Sequence, residues 1–108
     1  MCIVVLMTAK DAGEAEKIVT QLVEAKLIAC ANIIRGVQSI FWWEGKMDKA
    51  DEVLVVLKTR KTLFKKVEKM IKSLHSYTVP EIIALPVIEG SKDYLNWIKN
   101  STVKVKPG

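Results

Sequence analysis

The stretch LHSYTVPEII, residues 74–83, holds the chain's only histidine, His75, followed closely by Tyr77, Pro80 and Glu81. An imidazole with a phenol and a carboxylate just downstream suits a metal-ligand set, an acid and base, or simply the polar end of a helix. A metal site asks for more than one imidazole, because structural zinc takes about four ligands and copper favours imidazole or thiolate. His75 therefore needs Tyr77, Glu81 or groups from a neighbouring subunit to complete a site; the plainer alternative is a helix C-terminal residue whose protonated form the helix dipole favours. Cys30 sits in an apolar stretch and reads as a small buried hydrophobe, or, where a cleft exposes it, as a soft ligand suited to Cu(I). Cys2, at a strand end, reads as inert. Lys58, Arg60 and Lys61 crowd the expected start of a helix. There they either form an anion pocket with the free backbone N–H groups or are neutralised by subunit contacts. No nucleophile–base–orienter set, phosphate-binding glycine loop or paired-carboxylate motif occurs, so no enzymatic activity is expected.

The elements that must position these residues follow from the hydrophobic pattern. With 108 residues, half of them hydrophobic, the chain is expected to form one domain, with a loose tail from about residue 102. Its apolar runs, such as IVVLM (3–7) and VLVVL (53–57), are far shorter than the ~20 residues of a membrane span. No basic residue precedes the first run, so it reads as a strand and not as a signal peptide, and a cytoplasmic protein is expected. Two cysteines 28 positions apart, without a CxxC pair, argue against a zinc knuckle or a disulfide scaffold.

Ile3 to Met7 predicts a strand buried on both faces. Asp11 with Glu14 resembles a capping box and opens a helix over about 11–26, with Ala15, Ile18, Val19, Leu22 and Val23 at helical spacing. Residues 28–34 and the alternation from Val37 to Trp43 read as one long strand with a bulge at Gly36. EGKMDKADE (44–52) reads as the turn of a hairpin whose second arm runs from Glu52 to Thr59. Thr59 is expected to cap a second helix, which carries the stripe Leu63, Phe64, Val67, Met70, Ile71 and Leu74, turns its lysines outward and ends at His75. Pro80 forces Val79 to be extended, 82–88 forms the last strand, and Ser91 starts a short helix that packs Tyr94, Leu95 and Ile98. The order predicts an α+β, ferredoxin-like βαββαβ sandwich with an antiparallel sheet, the first and third strands central and the Pro86-bearing fourth at an edge. Phe41, Trp42 and Trp43 put aromatics on both faces of a hairpin arm that one helical layer cannot cover, which predicts self-association.

Five segments carry a family likeness: ACANI (29–33), SIFWWEGK (39–46), EVLVVLKT (52–59), LHSYTVPEIIALPV (74–87) and DYLNWI (93–98). Together, in order and spacing, they resemble the CutA family of divalent-cation tolerance proteins. The resemblance implies a tight homotrimer with long hairpin arms exchanged between subunits, and an association with copper or another divalent metal. By position, Cys30 matches the family's ACxN cysteine, Trp43, Gly45 and Lys46 match its aromatic-x-Trp-x-Gly-Lys run, and His75, Tyr77, Pro80 and Glu81 match its His-Pro-Tyr-x-x-Pro-Glu motif. Phe41 stands where tyrosine is usual and Ser76 where proline is. The expected metal residues are thus His75, Glu81 and Cys30, with Trp43, Lys46, Lys58, Arg60, Lys61 and Tyr77 at a ligand cleft or interface. The partners expected are further copies of the chain and metal ions, with no organic cofactor and no membrane. The lysine-rich helix lacks the aromatic K/R-G-F/Y segment of a sheet-based RNA binder, so no nucleic acid is expected either. The alternative function is a regulatory or scaffolding trimer, like the PII signalling proteins, whose inter-subunit clefts hold a small anion.

Overall fold

The computed structural model describes residues 1–104. Strand β1 (Cys2–Ala9) leads into helix α1 (Ala12–Glu24), followed by strands β2 (Cys30–Trp43) and β3 (Lys46–Arg60). A 3-10 turn (Lys61–Leu63) then enters helix α2 (Phe64–Leu74), and strand β4 (Ile82–Pro86) and helix α3 (Lys92–Asn100) complete the order. The four strands form one antiparallel sheet in the order β2-β3-β1-β4. The expected ferredoxin-like arrangement is therefore present, with β1 and β3 central and β4 at the edge, where Pro86 lies opposite Ile3.

Alternation along the strands divides the sheet into two faces. Ile3, Val5, Met7 and Ala9 of β1, with Val53, Val55, Leu57 and Thr59 of β3, are buried against the helical layer, which contributes Ala15, Ile18 and Leu22 from α1 and Leu63, Val67 and Ile71 at and within α2. Full burial of each large aliphatic side chain is worth about 1.5–3 kcal/mol. The even-numbered residues of β1 and β3 face the other way. One end of that second face is covered by α3, whose Tyr94 and Leu95 meet Cys30 and Cys2. No helix among the described residues covers the rest, and Ile34, Phe41, Trp43, Ile83 and Leu85 are all exposed.

Four local expectations are corrected. The turn expected over 44–52 is only Glu44-Gly45, with φ of 50° and 76°, and β3 begins at Lys46. Positive φ at both central residues suits a two-residue hairpin turn with the twist of its strands. The charged run 46–52 is thus strand, held by unbroken pairing from Val37↔Glu52 to Trp43↔Lys46, and the arm reaches well beyond the core, giving the molecule its 44 Å length. Thr59 does not cap α2; it is fully buried and its hydroxyl donates to the Leu27 carbonyl at 2.6 Å. β4 stops at Pro86 rather than running on to residue 88. The tail expected to be loose from 102 is held at its start, because Thr102 is buried and the Val103 N–H donates to the Lys26 carbonyl; residues 105–108 lie outside the described residues. The bulge sits where expected, with the register shifting between Ile34 and Val37 and Gly36 at a φ of 75°.

Candidate functional site

His75 is the C-cap of α2, its backbone leaving the helix at φ −77° and ψ 141°. This turn swings the imidazole under the end of β1, where its side chain is fully buried. Nε2 lies 2.7 Å from the Thr8 carbonyl oxygen, and Nδ1 lies 3.0 Å from the Tyr77 backbone N. A carbonyl only accepts and an amide N–H only donates. The ring is therefore a neutral imidazole with its proton on Nε2, and both nitrogens are engaged.

Glu14 completes the clamp. Its carboxylate accepts from the backbone N–H of Ser76 at 2.9 Å and of Lys10 at 3.3 Å, and its Oε1 lies 3.9 Å from Nδ1 of His75. Burial by itself pushes this carboxyl up, but the hydrogen bonds from Ser76 and Lys10 together hold it below its ordinary value. Tyr77 stacks obliquely on His75, with ring centres 4.7 Å apart, and its hydroxyl donates to Glu52 Oε2 at 2.8 Å. Burial, reinforced by the Glu52 carboxylate, pushes the Tyr77 phenol up to about 12. The 75–77 segment is thus fastened to α1, β1 and β3 at once.

This fastened segment forms one wall of a cleft of about 750 Å³ beside the base of the hairpin. Ser39, Phe41 and Trp43 of β2 and Asp48, Ala50 and Glu52 of β3 share one face of the sheet and line it, with Tyr77, Val79 and Glu81 opposite. Three carboxylates and three aromatic rings line the cleft, and among the described residues no lysine, arginine or histidine does.

The expected metal residues do not come together. Cys30 lies opposite Lys58, which is six residues along β3 from Glu52, or about 20 Å at strand rise. Its thiol is 3.6 Å from the Tyr94 hydroxyl. Glu81 is exposed at the cleft, and His75 is buried behind Tyr77 with both nitrogens in use. Among the described residues no group of three or more His, Cys, Asp or Glu side chains is placed to hold a metal ion. The residues therefore do not fit a preformed copper site within one chain. The expected basic cluster also disperses. Lys58 bonds Asn32, Arg60 bonds Thr102 and the Val103 carbonyl, and Lys61 is exposed. Of the expected cleft residues, Trp43 and Tyr77 line it, and Lys46 sits opposite Trp43 at the hairpin tip without doing so. Sequence reasoning missed Thr8, Glu14, Asp48 and Glu52 as site residues. The available signal was Glu52 itself, a carboxylate at the head of an otherwise apolar arm.

Comparison with known proteins gives consistent results. The model of the CutA1 divalent ion tolerance protein matches residues 3–101. The chain is 43% identical over 99 residues to the divalent-cation tolerance protein CutA of Thermus thermophilus, covering 92% of this chain and 96% of that protein. It is 41% identical over 100 residues to the chloroplastic CutA 1 protein of Oryza sativa, covering 93% of this chain but only 56% of the rice protein. The chain thus spans about half the length of that relative. Among solved structures, the divalent cation tolerance protein (Cut A1) from Thermus thermophilus superposes with a TM-score of 0.93 at 43% identity, covering 95% of this chain and 100% of that one. The periplasmic divalent cation tolerance protein CutA from Archaeoglobus fulgidus superposes with a TM-score of 0.91 at 42% identity, covering 94% and 98% respectively.

Proposed function

This chain belongs to the CutA1 divalent ion tolerance family, and we propose that it acts in divalent-cation tolerance as a non-enzymatic cytoplasmic homotrimer. The observation that carries this reading is the uncovered sheet face. Ile34, Phe41, Trp43, Ile83 and Leu85 are 37–52% exposed on a face that continues onto a hairpin projecting past the core. A contiguous apolar surface of this kind marks an interface, and a two-sided arm is suited to lying across a neighbouring subunit. Two free cysteines support a reducing compartment.

Contact with copper and other divalent cations falls in this proposal to Glu81, whose carboxylate is exposed and has no partner among the described residues, helped by groups from a neighbouring subunit. His75 is assigned to holding the 75–77 segment. Cys30 is the softer site, suited to Cu(I). The regulatory alternative with an anionic ligand draws no support from the cleft, where an anion would meet three carboxylates and, among the described residues, no cation.

The test joins light scattering with calorimetric titration of Cu(II) into the wild type, Glu81→Gln and His75→Gln. The expected result is a trimer at micromolar concentration, with Cu(II) binding weakened by Glu81→Gln and little changed by His75→Gln. A stable monomer refutes the assembly. Copper binding lost only in His75→Gln refutes the assignment of Glu81.

A further inference from the structure

The positive charge of the chain is concentrated on one element. Between Lys61 and Leu74 stand five lysines against a single acid, Glu68, so this span alone carries +4 of the net +5. All five lysines are exposed. Lys65, Lys69 and Lys72, at i, i+4 and i+7, share one outward face of α2, and Lys61 on the 3-10 turn precedes Lys65 by a further four residues. Folding of α2 does not account for this row. The helix is held by its buried Val67 and Ile71, whereas Lys65 and Lys66 stand in its first turn, where the helix dipole disfavours cations and no acid answers them. Lys65 and Lys69 repel each other at i, i+4. Glu68 reaches Lys65 at 3.8 Å and Lys72 at 3.4 Å, which leaves Lys61, Lys66 and Lys69 without a carboxylate at ion-pair distance among the described residues. The face also lies apart from the assembly proposed above, because α2 packs on the side of the sheet opposite to the uncovered Ile34, Phe41, Trp43 and Ile83.

Charge complementarity calls for an anionic partner, and the make-up of the face selects its kind. Every cation on it is a lysine, a point charge, and not the arginine fork that grips phosphate bidentately. None of the large hydrophobic side chains exposed among the described residues belongs to α2, so nucleic-acid bases find no platform to stack on and a bilayer receives no apolar anchor. The row is also one helix wide. In the same layer α1 presents exposed Glu16 and Glu24 against Lys17, and a flat bilayer or a duplex resting on both helices would meet those carboxylates. A single extended polypeptide fits along α2 alone. Its alternate side chains recur about every 6.6 Å, close to the roughly 6 Å step from Lys65 to Lys69. We propose that the outer face of α2 docks an acidic, extended segment of a partner protein, its carboxylates paired with Lys65, Lys69 and Lys72. The proposal depends neither on the trimer nor on the copper assignment.

The test uses the full chain in its native assembly and, as probe, an octapeptide of alternating glutamate and serine capped at both ends, with glutamine replacing glutamate in the uncharged control. Amide NMR resonances are followed in the wild type, in Lys65→Gln/Lys69→Gln and in Lys10→Gln/Lys17→Gln, which removes the same charge from the neighbourhood of α1. All four positions are exposed and glutamine is a good helix former, so both variants keep the fold. The expected result is saturable shifts along residues 61–73 with the acidic peptide, weakening as salt is raised, and none with the glutamine peptide. Lys65→Gln/Lys69→Gln should weaken binding about tenfold or more, and Lys10→Gln/Lys17→Gln less than about threefold. Equal weakening by the two variants overturns the proposal, because the peptide would then answer only to net charge. So does the absence of saturable shifts at 61–73. Tighter binding at the same residues by a short DNA duplex or by phosphatidylglycerol vesicles, compared at equal anionic charge, overturns the assignment of an acidic protein segment.

Discussion

Replacing His75 with alanine should destabilise the protein by about 3 kcal/mol through the loss of two buried hydrogen bonds and one ring contact. The imidazole is wholly buried and bridges the Thr8 carbonyl at 2.7 Å and the Tyr77 N–H at 3.0 Å. Truncation leaves both backbone groups without that partner, and each such orphan costs about 1–3 kcal/mol. The tilted packing on Tyr77, with ring centres 4.7 Å apart, adds about 0.5–1.5 kcal/mol. Ser76, next in the chain, is exposed, so water reaches this turn and the lower part of each range applies. Three kcal/mol is a large share of the roughly 5–15 kcal/mol by which a domain is stable, and corresponds to a melting shift on the order of 12–24 °C. The assay is urea unfolding followed by circular dichroism, at one fixed protein concentration because subunit association contributes to apparent stability. Hydrogen exchange at the Tyr77 amide should accelerate in parallel. His75→Gln, which offers one donor and one acceptor, should recover part of the loss. An alanine variant that unfolds at the wild-type midpoint, with Tyr77 exchange unchanged, refutes the clamp.

Glu14→Gln should flatten the acid side of the stability profile. The folded carboxyl lies below its ordinary 4.5, so the wild type has this contribution in full above the ordinary range and loses it as pH falls through the lowered folded value; an unchanged acid limb in the variant would contradict this. Tyr77 acts at the other end of the scale. With its phenol raised from 10.0 to about 12, its contribution is complete below pH 10 and fades as pH rises through 12, so Tyr77→Phe should remove one late step from the alkaline tyrosinate titration. Truncation of Trp43, 51% exposed on the uncovered sheet face, should weaken assembly by about 2 kcal/mol or more, whereas Trp42, 77% exposed on the opposite face, should matter less. Sedimentation of the two alanine variants in which only Trp42→Ala dissociates would reverse that facing.

The sheet order followed from the order of the elements along the chain, whereas β1, both long helices and the bulge at Gly36 were readable from local pattern. Each depends on a repeat within a few residues: the continuous run of β1, the 3.6-residue stripes of α1 and α2, and the alternation on either side of Arg35-Gly36. Pro86 placed β4 at an edge because proline has no N–H to give a second neighbour. The hairpin was misjudged for a related reason. Its outer half carries Lys46, Asp48, Lys49 and Asp51, and a strand solvated on both faces looks like a turn when only hydrophobicity is read.

The amino-acid sequence by itself determined that an imidazole would stand at the end of α2, with a phenol and a carboxylate soon after it. It left open whether that imidazole faces a ligand or the protein, and only the tertiary structure decided this. The Ser76 N–H meets Glu14 across 62 positions and Tyr77 meets Glu52 across 25. Such contacts depend on the path of the loop and on strand register, which no local period encodes. The same register turned Glu52, with Asp48 and Trp43, onto the face that meets Tyr77. A charge that read as part of a solvated turn thereby became the buried carboxylate of a cleft, because a one-residue change in pairing would have carried it to the other side of the sheet.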